Sequence, residues 1–378
     1  MSKAGSTTST AITGSGVWHP ETVITNAELC DAFNVWVRRE NDAHAAEIAA
    51  GTRTAMREST PEFIEKASGI KQRYAADKVG VLDPDRMVPN IPDRPDDQLA
   101  LQAEWAVNAA KLALAQAGRE GKDVDLVVLG TSNMQRLYPA LAIEVLDALG
   151  GTGSGFDIAL GCSSATMAIT LATESVQLGK ARCALAVTPE ITTGFLNFRD
   201  RDSHFIFGDA SVAILVEPLA GARPGSYEVI STKAMARFSS NIRNNQGYLN
   251  RCDPAHRDDS DKLFYQQGRR VFKDVVPMAA RFIGEHLASA GVAPTEIARF
   301  WLHQANSNMN DLIAQRLIGR SATALEAPLI LEEYANTASA GSAIAFSKYS
   351  DDLPSGAYGI MASFGAGYSL GSLLLRRT

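Results

Sequence analysis

Three polar residues stand where small and apolar residues surround them. Cys162 lies in "FDIALGCSSATMAI", His303 in "WLHQANSNM" and Asn336 in "YANTASAGSAI". A cysteine alone reads as a small buried hydrophobe. At a turn between a strand and a helix it reads as a nucleophile, because the thiolate is the attacking species and a helix N-terminus lowers a cysteine pKa. The backbone N–H groups of such a turn can form an oxyanion hole. A histidine and an asparagine can together donate hydrogen bonds to one carbonyl oxygen. A thiol of this kind takes an acyl group from a thioester, and the other two would stabilise an enolate on a second thioester.

The elements that must position these residues come from an internal repeat. "LAQAGREGKDVDLVVLGTSNM" and "LASAGVAPTEIARFWLHQANSNM" both run helix, Ala-Gly stop, short linker, apolar strand and polar loop. Gly118 to Gly130 spans the same distance as Gly291 to His303. Cys162 follows Gly130 by 32 residues and Asn336 follows His303 by 33. Later strands "CALAVTPE" and "YGIMASFGAG", then "GDASVAILVE" and "GYSLGSLLLRR", match in the same order. The expectation is an α/β chain of two duplicated halves, 1–218 and 226–378, joined by the linker "EPLAGARPGS". Alternating strands and helices predict mostly parallel sheets covered by helices. All three polar residues would sit at strand exits, where ligands gather in open α/β sheets, and a pseudo-twofold axis would bring the matching turns of Cys162 and Asn336 to one cleft. Residues 29–60, amphipathic and helical, and the Pro/Asp-rich surface loop 83–98 have no partner in the second half.

With 378 residues, 46% hydrophobic and 21% charged, the chain can bury a large core. A net charge of -6 argues against nucleic acid or an anionic membrane as partner. The four cysteines form no CxxC, and no histidine stands at metal-ligand spacing from them. They fit free thiols in a reducing cytoplasm. The polar start "MSKAGSTTST" has no signal-like apolar core, and no apolar run approaches the ~20 residues that span a bilayer. Asp209 reads as holding a turn, His204 as a structural histidine and Cys183 as strand core, whereas Cys30 and Cys252 have no functional context.

The segments "LGCSSATMA", "FIFGDASVA", "WLHQANSNM", "YANTASAGSAIA" and "SFGAGYSLGS" run in one order over essentially the whole chain. In them the sequence resembles the β-ketoacyl-acyl carrier protein synthase III family of the thiolase superfamily. The resemblance implies a five-layered αβαβα thiolase-like fold and a homodimer in the cytoplasm. The 29–60 insertion, "NFRDRDSHFIFGD" and "NIRNNQGYLNR" look most like the medium-chain branch, which extends an octanoyl-type primer to a β-ketodecanoyl product. The implied chemistry has two stages. Cys162 takes the acyl group from acyl-CoA; His303 and Asn336 then bind the thioester carbonyl of malonyl-acyl carrier protein while CO2 leaves, and the carbanion attacks acyl-Cys162. No metal and no cofactor are implied, since CoA and the carrier protein's phosphopantetheine carry the substrates. The backbone N–H groups of Cys162 and Ala366 would form the oxyanion hole. Ala366 stands where the family has glycine, which alanine can replace only at negative φ. Phe364 matches an aromatic beside the cysteine.

The family's CoA grip is altered. In "EFIEKASGI" Phe63 stands for a tryptophan and Ala67 for an arginine, and Asn308 replaces an arginine after "HQAN". Arg201 matches a CoA-binding arginine and Arg269 falls at a polar CoA contact, so a carrier-protein primer stays open beside acyl-CoA. Tyr138 matches an aromatic that closes the acyl pocket across the dimer. Lys273 and Arg316 match carrier-docking positions. A thiolase needs a second cysteine near the C-terminal glycine loop, and "SFGAGYSLGS" has none. A starter-unit or polyketide ketosynthase would share the triad. A plain acyltransferase would not need Asn336, and an inactive paralogue serving as dimer partner would not need all three residues.

Overall fold

The computed structural model describes residues 8–378. Nine strands make the central sheet: β1 (Thr10–Trp18), β2 (Leu126–Gly130), β3 (Ser154–Ile158), β4 (Ala184–Glu190), β5 (Ala210–Pro218), β6 (Tyr227–Ser239), β7 (Ile297–Leu302), β8 (Tyr358–Gly365) and β9 (Gly367–Arg377). They are hydrogen-bonded in the order β7-β8-β9-β6-β1-β5-β4-β2-β3. The series β6, β9, β8, β7 therefore repeats β1, β5, β4, β2, and the two series join edge to edge where Ala11 and Ile12 pair with Glu228 and Tyr227.

The sheet folds back on two buried helices, α4 (Ser164–Gln177) and α7 (Gly341–Lys348). One apolar cluster holds Ala168, Ile169 and Val176 of α4, Ile344 and Phe346 of α7, Val128 and Ile214 from one sheet region, and Trp301 and Leu373 from the other. The alternate residues of the same strands face outward. Val127, Leu185 and Leu215 pack on α2 (Leu101–Ala117) and α3 (Leu141–Leu149). Phe300, Ile360 and Leu374 pack on α5 (Gly268–Ser289) and α6 (Ser307–Ile318). The result is five layers, αβαβα. Strands covered on both faces read as unbroken apolar runs, as β2 and the first four residues of β4 do. A helix between two sheets needs small residues on every side, hence "SATMAITLATESVQ". Its buried Thr170 and Thr173 hydroxyls donate to the carbonyls of Thr166 and Ile169, which removes the cost of burying them.

Two expectations change. The sheet is mixed rather than mostly parallel: β2–β3, β2–β4 and β7–β8 are parallel, and the five other pairings are antiparallel. The cause is that each series ends by turning its last strand back on the one before it, so β5 and β9 run against both neighbours. Secondly, β3 has no counterpart after β7. Pro328 interrupts the matching segment by removing a backbone donor, and the contact reduces to the Phe300 N–H donating to Glu326 O at 2.7 Å.

The 29–60 segment supplies most of a helix, α1 (Asn26–Ala43), and one further turn, Ala45–Ala49. Thr25 and Glu28 cap α1 reciprocally. Phe33 and Val37 of α1 pack with Ile64, Phe205 and Phe207, so this insertion walls the side of the molecule that carries residues 205–207. The loop 83–98 is irregular but is not all surface, because Met87 is buried in the same cluster. No helix among the described residues is long and apolar enough to cross a membrane.

Candidate active site

Cys162 lies one turn beyond β3, in the single 3-10 turn Gly161–Ser163 that leads into α4. The end of β8 presses against it. A Cβ on Gly365 would stand 2.4 Å from the Cys162 Cβ and 2.6 Å from its Sγ, so only glycine fits. The turn is tied to β9 as well: the Ser163 hydroxyl donates to Ser369 O at 2.9 Å, and the Ser369 hydroxyl reaches Leu160 O at 3.1 Å. Burial pushes the thiol up to about 11, and the Glu190 carboxylate adds to the rise. The backbone N–H groups of Ala366 and Cys162 point the other way and favour the thiolate. The expected lowering at a helix N-terminus is therefore overturned, because desolvation and a neighbouring carboxylate outweigh the donors. Ala366 is not among the non-glycine residues with positive φ, so its N–H reaches the thiol without backbone strain.

His303 follows the last residue of β7 and its N–H donates to Ala362 O at 2.8 Å, extending the β7–β8 ladder. Its ring meets Phe364 edge-on, with centroids 5.4 Å apart. Burial lowers its pKa to about 4, so the imidazole is neutral near pH 7. Nδ1 is buried without a partner.

Asn336 does not end a strand. It follows a single helical turn, Leu331–Tyr334, and is held by an isolated bridge to Phe207. Its N–H donates to Ile206 O at 3.0 Å, and the Gly208 N–H donates to its carbonyl at 3.1 Å. The Ala338 N–H donates to Asn336 Oδ1 at 2.9 Å, which fixes the amide orientation and leaves Nδ2 as a donor. Ala335 and Ala338, on either side, both have positive φ, 56° and 46°.

Cys162, His303 and Asn336 line one cavity of about 590 Å³, together with the expected Phe63, Arg269 and Phe364. Ala366 stands beside the thiol, and the other expected residues lie outside this lining. The Arg201 guanidinium sits 4.0 Å from the centre of the Phe63 ring, and its Nε donates to Glu58 O. Asn308, Lys273 and Arg316 are exposed on α6, α5 and α6. Tyr138 is 84% exposed, away from the cavity of its own chain.

Residues 156–236 match the family 3-oxoacyl-(acyl-carrier-protein) synthase III, and residues 287–377 match its C-terminal part. A beta-ketodecanoyl-(acyl-carrier-protein) synthase of Pseudomonas aeruginosa is 55% identical over 92% of this chain and 99% of its own. The chain belongs to the 3-oxoacyl-(acyl-carrier-protein) synthase III family. It is a condensing enzyme of the acyltransferase class. A beta-ketoacyl-(acyl-carrier-protein) synthase III of Bordetella petrii is 28% identical over 97% of both chains. The fold is that of the 3-oxoacyl-(acyl-carrier-protein) synthase III of Aquifex aeolicus, with TM-score 0.74, 24% identity and coverage of 97% of this chain and 99% of that one. It is also that of the priming β-ketosynthase from the R1128 polyketide pathway, with TM-score 0.78, 24% identity and coverage of 99% and 98%.

Several residues of this synthase's cavity lie inside or beside the matching segments but were given no role from the sequence. Phe205, Ile206 and Phe207 line it because the strand-like bridge to Asn336 brings them there. Ile242 and Gln266 come from a small antiparallel strand pair, Ile242–Arg243 with Tyr265–Gln266, and Phe264 from the residue just before it. Asn306 donates to Ala67 O at 2.6 Å and caps α6 with its Oδ1. Its place in "HQAN" was the available signal. His204 and Asp209 are occupied structurally. His204 bonds the Ser59 hydroxyl, and Asp209 accepts from Thr192, Thr193 and Ala76.

Proposed function

We propose that this synthase condenses a medium-chain, octanoyl-like acyl-CoA with malonyl-acyl carrier protein, with loss of CO2, to give a β-ketoacyl-acyl carrier protein. The observation that carries the proposal is the convergence of Cys162, His303 and Asn336 on one cavity, with the Ala366 and Cys162 N–H groups directed at the thiol. The thiol is protonated at rest, so attack requires a base, and the neutral His303 imidazole is the base in the cavity. Sulfur attacks the acyl carbonyl while His303 takes its proton. The oxyanion is held by the two N–H groups, and CoA leaves with the proton. Malonyl-acyl carrier protein then loses CO2. His303, neutral again, exchanges its ring proton through solvent to the Nε2–H tautomer, and His303 Nε2–H and Asn336 Nδ2–H then donate to the malonyl thioester oxygen as the enolate forms. The enolate carbon attacks acyl-Cys162 and the thiolate is released.

The name of the Pseudomonas aeruginosa relative supports a medium-chain primer. Phe63 with Arg201 would meet the nucleotide end of CoA, Arg269 the arm, and Lys273 with Arg316 the acidic carrier. We further infer a cytoplasmic homodimer in which Tyr138 closes the acyl pocket of the partner, with CoA and phosphopantetheine as the only carriers and no resident cofactor. The test offers acyl-CoAs from C2 to C12 with malonyl-acyl carrier protein and identifies the products by mass. A preference near C8 with CO2 release is expected. Acyl transfer without CO2 release would overturn the condensation.

A further inference from the structure

Glu190 closes β4 and is fully buried, yet no cation among the described residues accounts for it: its hydrogen bonds there come from hydroxyl and backbone donors. Oε1 accepts the Ser132 N–H at 2.9 Å and the Ser339 N–H at 3.2 Å, and the Ser339 hydroxyl also donates to it. Oε2 accepts the Ser132 hydroxyl at 2.5 Å and the Thr131 hydroxyl at 3.2 Å. One carboxylate thus joins the loop after β2 to the turn that carries Asn336. That turn does not support itself, because two alanines in left-handed backbone bracket Asn336, and such residues persist only where surroundings hold them.

We propose that Glu190 is a positioning residue: its carboxylate clamps the 336–339 turn against the loop at 131–132, and this sets the Asn336 amide for the malonyl-dependent step. The inference rests on the function proposed above. The charge of the carboxylate also reaches Cys162, where it opposes thiolate formation, and this gives a second readout.

The test measures three quantities in the intact enzyme: acylation by octanoyl-CoA, CO2 release from malonyl-acyl carrier protein, and the pH midpoint of Cys162 alkylation by iodoacetamide. Glu190→Asp is shorter by about 1.5 Å and cannot span both serines. Since a 1 Å misplacement can cost about a hundredfold, CO2 release is expected to fall on the order of tenfold or more, with acylation falling far less. Glu190→Gln keeps an oxygen for both backbone N–H groups, and the hydroxyls can reverse to accept from its NH2. It is expected to recover condensation relative to Glu190→Asp and to move the alkylation midpoint to lower pH. Both steps falling by one factor in Glu190→Asp, or Glu190→Gln performing no better, would overturn the proposal. If Glu190→Asp fails to fold, Ser339→Ala removes one bridge and keeps the charge. It must depress CO2 release relative to acylation, and an unchanged ratio would refute the clamp. If wild-type enzyme releases no CO2, the proposed function fails, and the Glu190→Gln alkylation midpoint still tests the carboxylate: an unmoved midpoint refutes its placement.

Discussion

Gly365→Ala tests how closely the end of β8 is fitted to the nucleophile. The added Cβ would lie 2.4 Å from the Cys162 Cβ and 2.6 Å from its Sγ, where carbon atoms normally keep about 3.5–4.0 Å apart. The turn and the strand must therefore part by roughly 1 Å. Neither side can yield freely. Ser163 and Ser369 tie the turn to β9, and a Cβ at Gly161 would already meet Ala366 at 3.1 Å. Overpacking of this kind costs about 1–3 kcal/mol of stability. Moving Sγ from the Ala366 N–H by about 1 Å should slow acylation on the order of a hundredfold. The assay is single-turnover acylation followed by intact mass, with thermal melting in parallel. Gly284→Ala in α5 is the control, since its Cβ would meet only Leu317 at 3.8 Å, and alanine there should stabilise the helix by about 1 kcal/mol. A Gly365→Ala enzyme that acylates within threefold of wild type would refute the fit.

Three further outcomes are expected. His303→Ala should still acylate slowly from acyl-CoA at high pH, where the thiol ionises unaided, but should release no CO2 from malonyl-acyl carrier protein. CO2 release at the wild-type rate would contradict the assignment. Stability should fall as pH drops from about 6.5 to 4. His303 and His286 are lowered to about 4 and His204 to about 3, so in that window the unfolded chain binds protons that the folded chain refuses. Glu190, raised to about 7, acts with the opposite sign, as do Asp157 and Asp209, whose carboxyls burial raises; the ion-paired or hydrogen-bonded Glu28, Glu326, Glu333, Asp261 and Asp352, all held below the usual carboxylate range, act with the histidines and tip the sum. Denaturant midpoints that rise from pH 6.5 to 4.5 would contradict this. Thr25→Ala removes the capping box of α1 and should cost about 1 kcal/mol, read as a shifted denaturant midpoint. No shift would mean that α1 is held by its packing alone.

The repeat made the succession of strands and turns along the chain, and the meeting of Cys162, His303 and Asn336 in one cleft, legible, because periodic apolar strands and Ala-Gly stops survive as spacing. It misled where local chemistry intervened. Pro328 removed the strand that was to lead into Asn336, and the closing hairpins of β5 and β9 turned a parallel expectation into a mixed sheet. The thiol's pKa was not legible at all, since it depends on enclosure and on Glu190, a strand-final acid in "CALAVTPE". Its partners Ser132 and Ser339 stand 58 and 149 residues away in the chain. Arg201 over Phe63 was equally hidden, because stacking of a guanidinium on a ring leaves no trace in spacing.

The whole reaction depends on Cys162 carrying the acyl group. The most direct measurement is the intact mass of the enzyme after octanoyl-CoA alone, followed by peptide mapping, in wild type and in Cys162→Ala. One added octanoyl group is expected on the peptide containing Cys162, with its discharge when malonyl-acyl carrier protein is added and no added mass in the variant. An octanoyl group that persists in Cys162→Ala, or that maps to Cys30, Cys183 or Cys252, would contradict it.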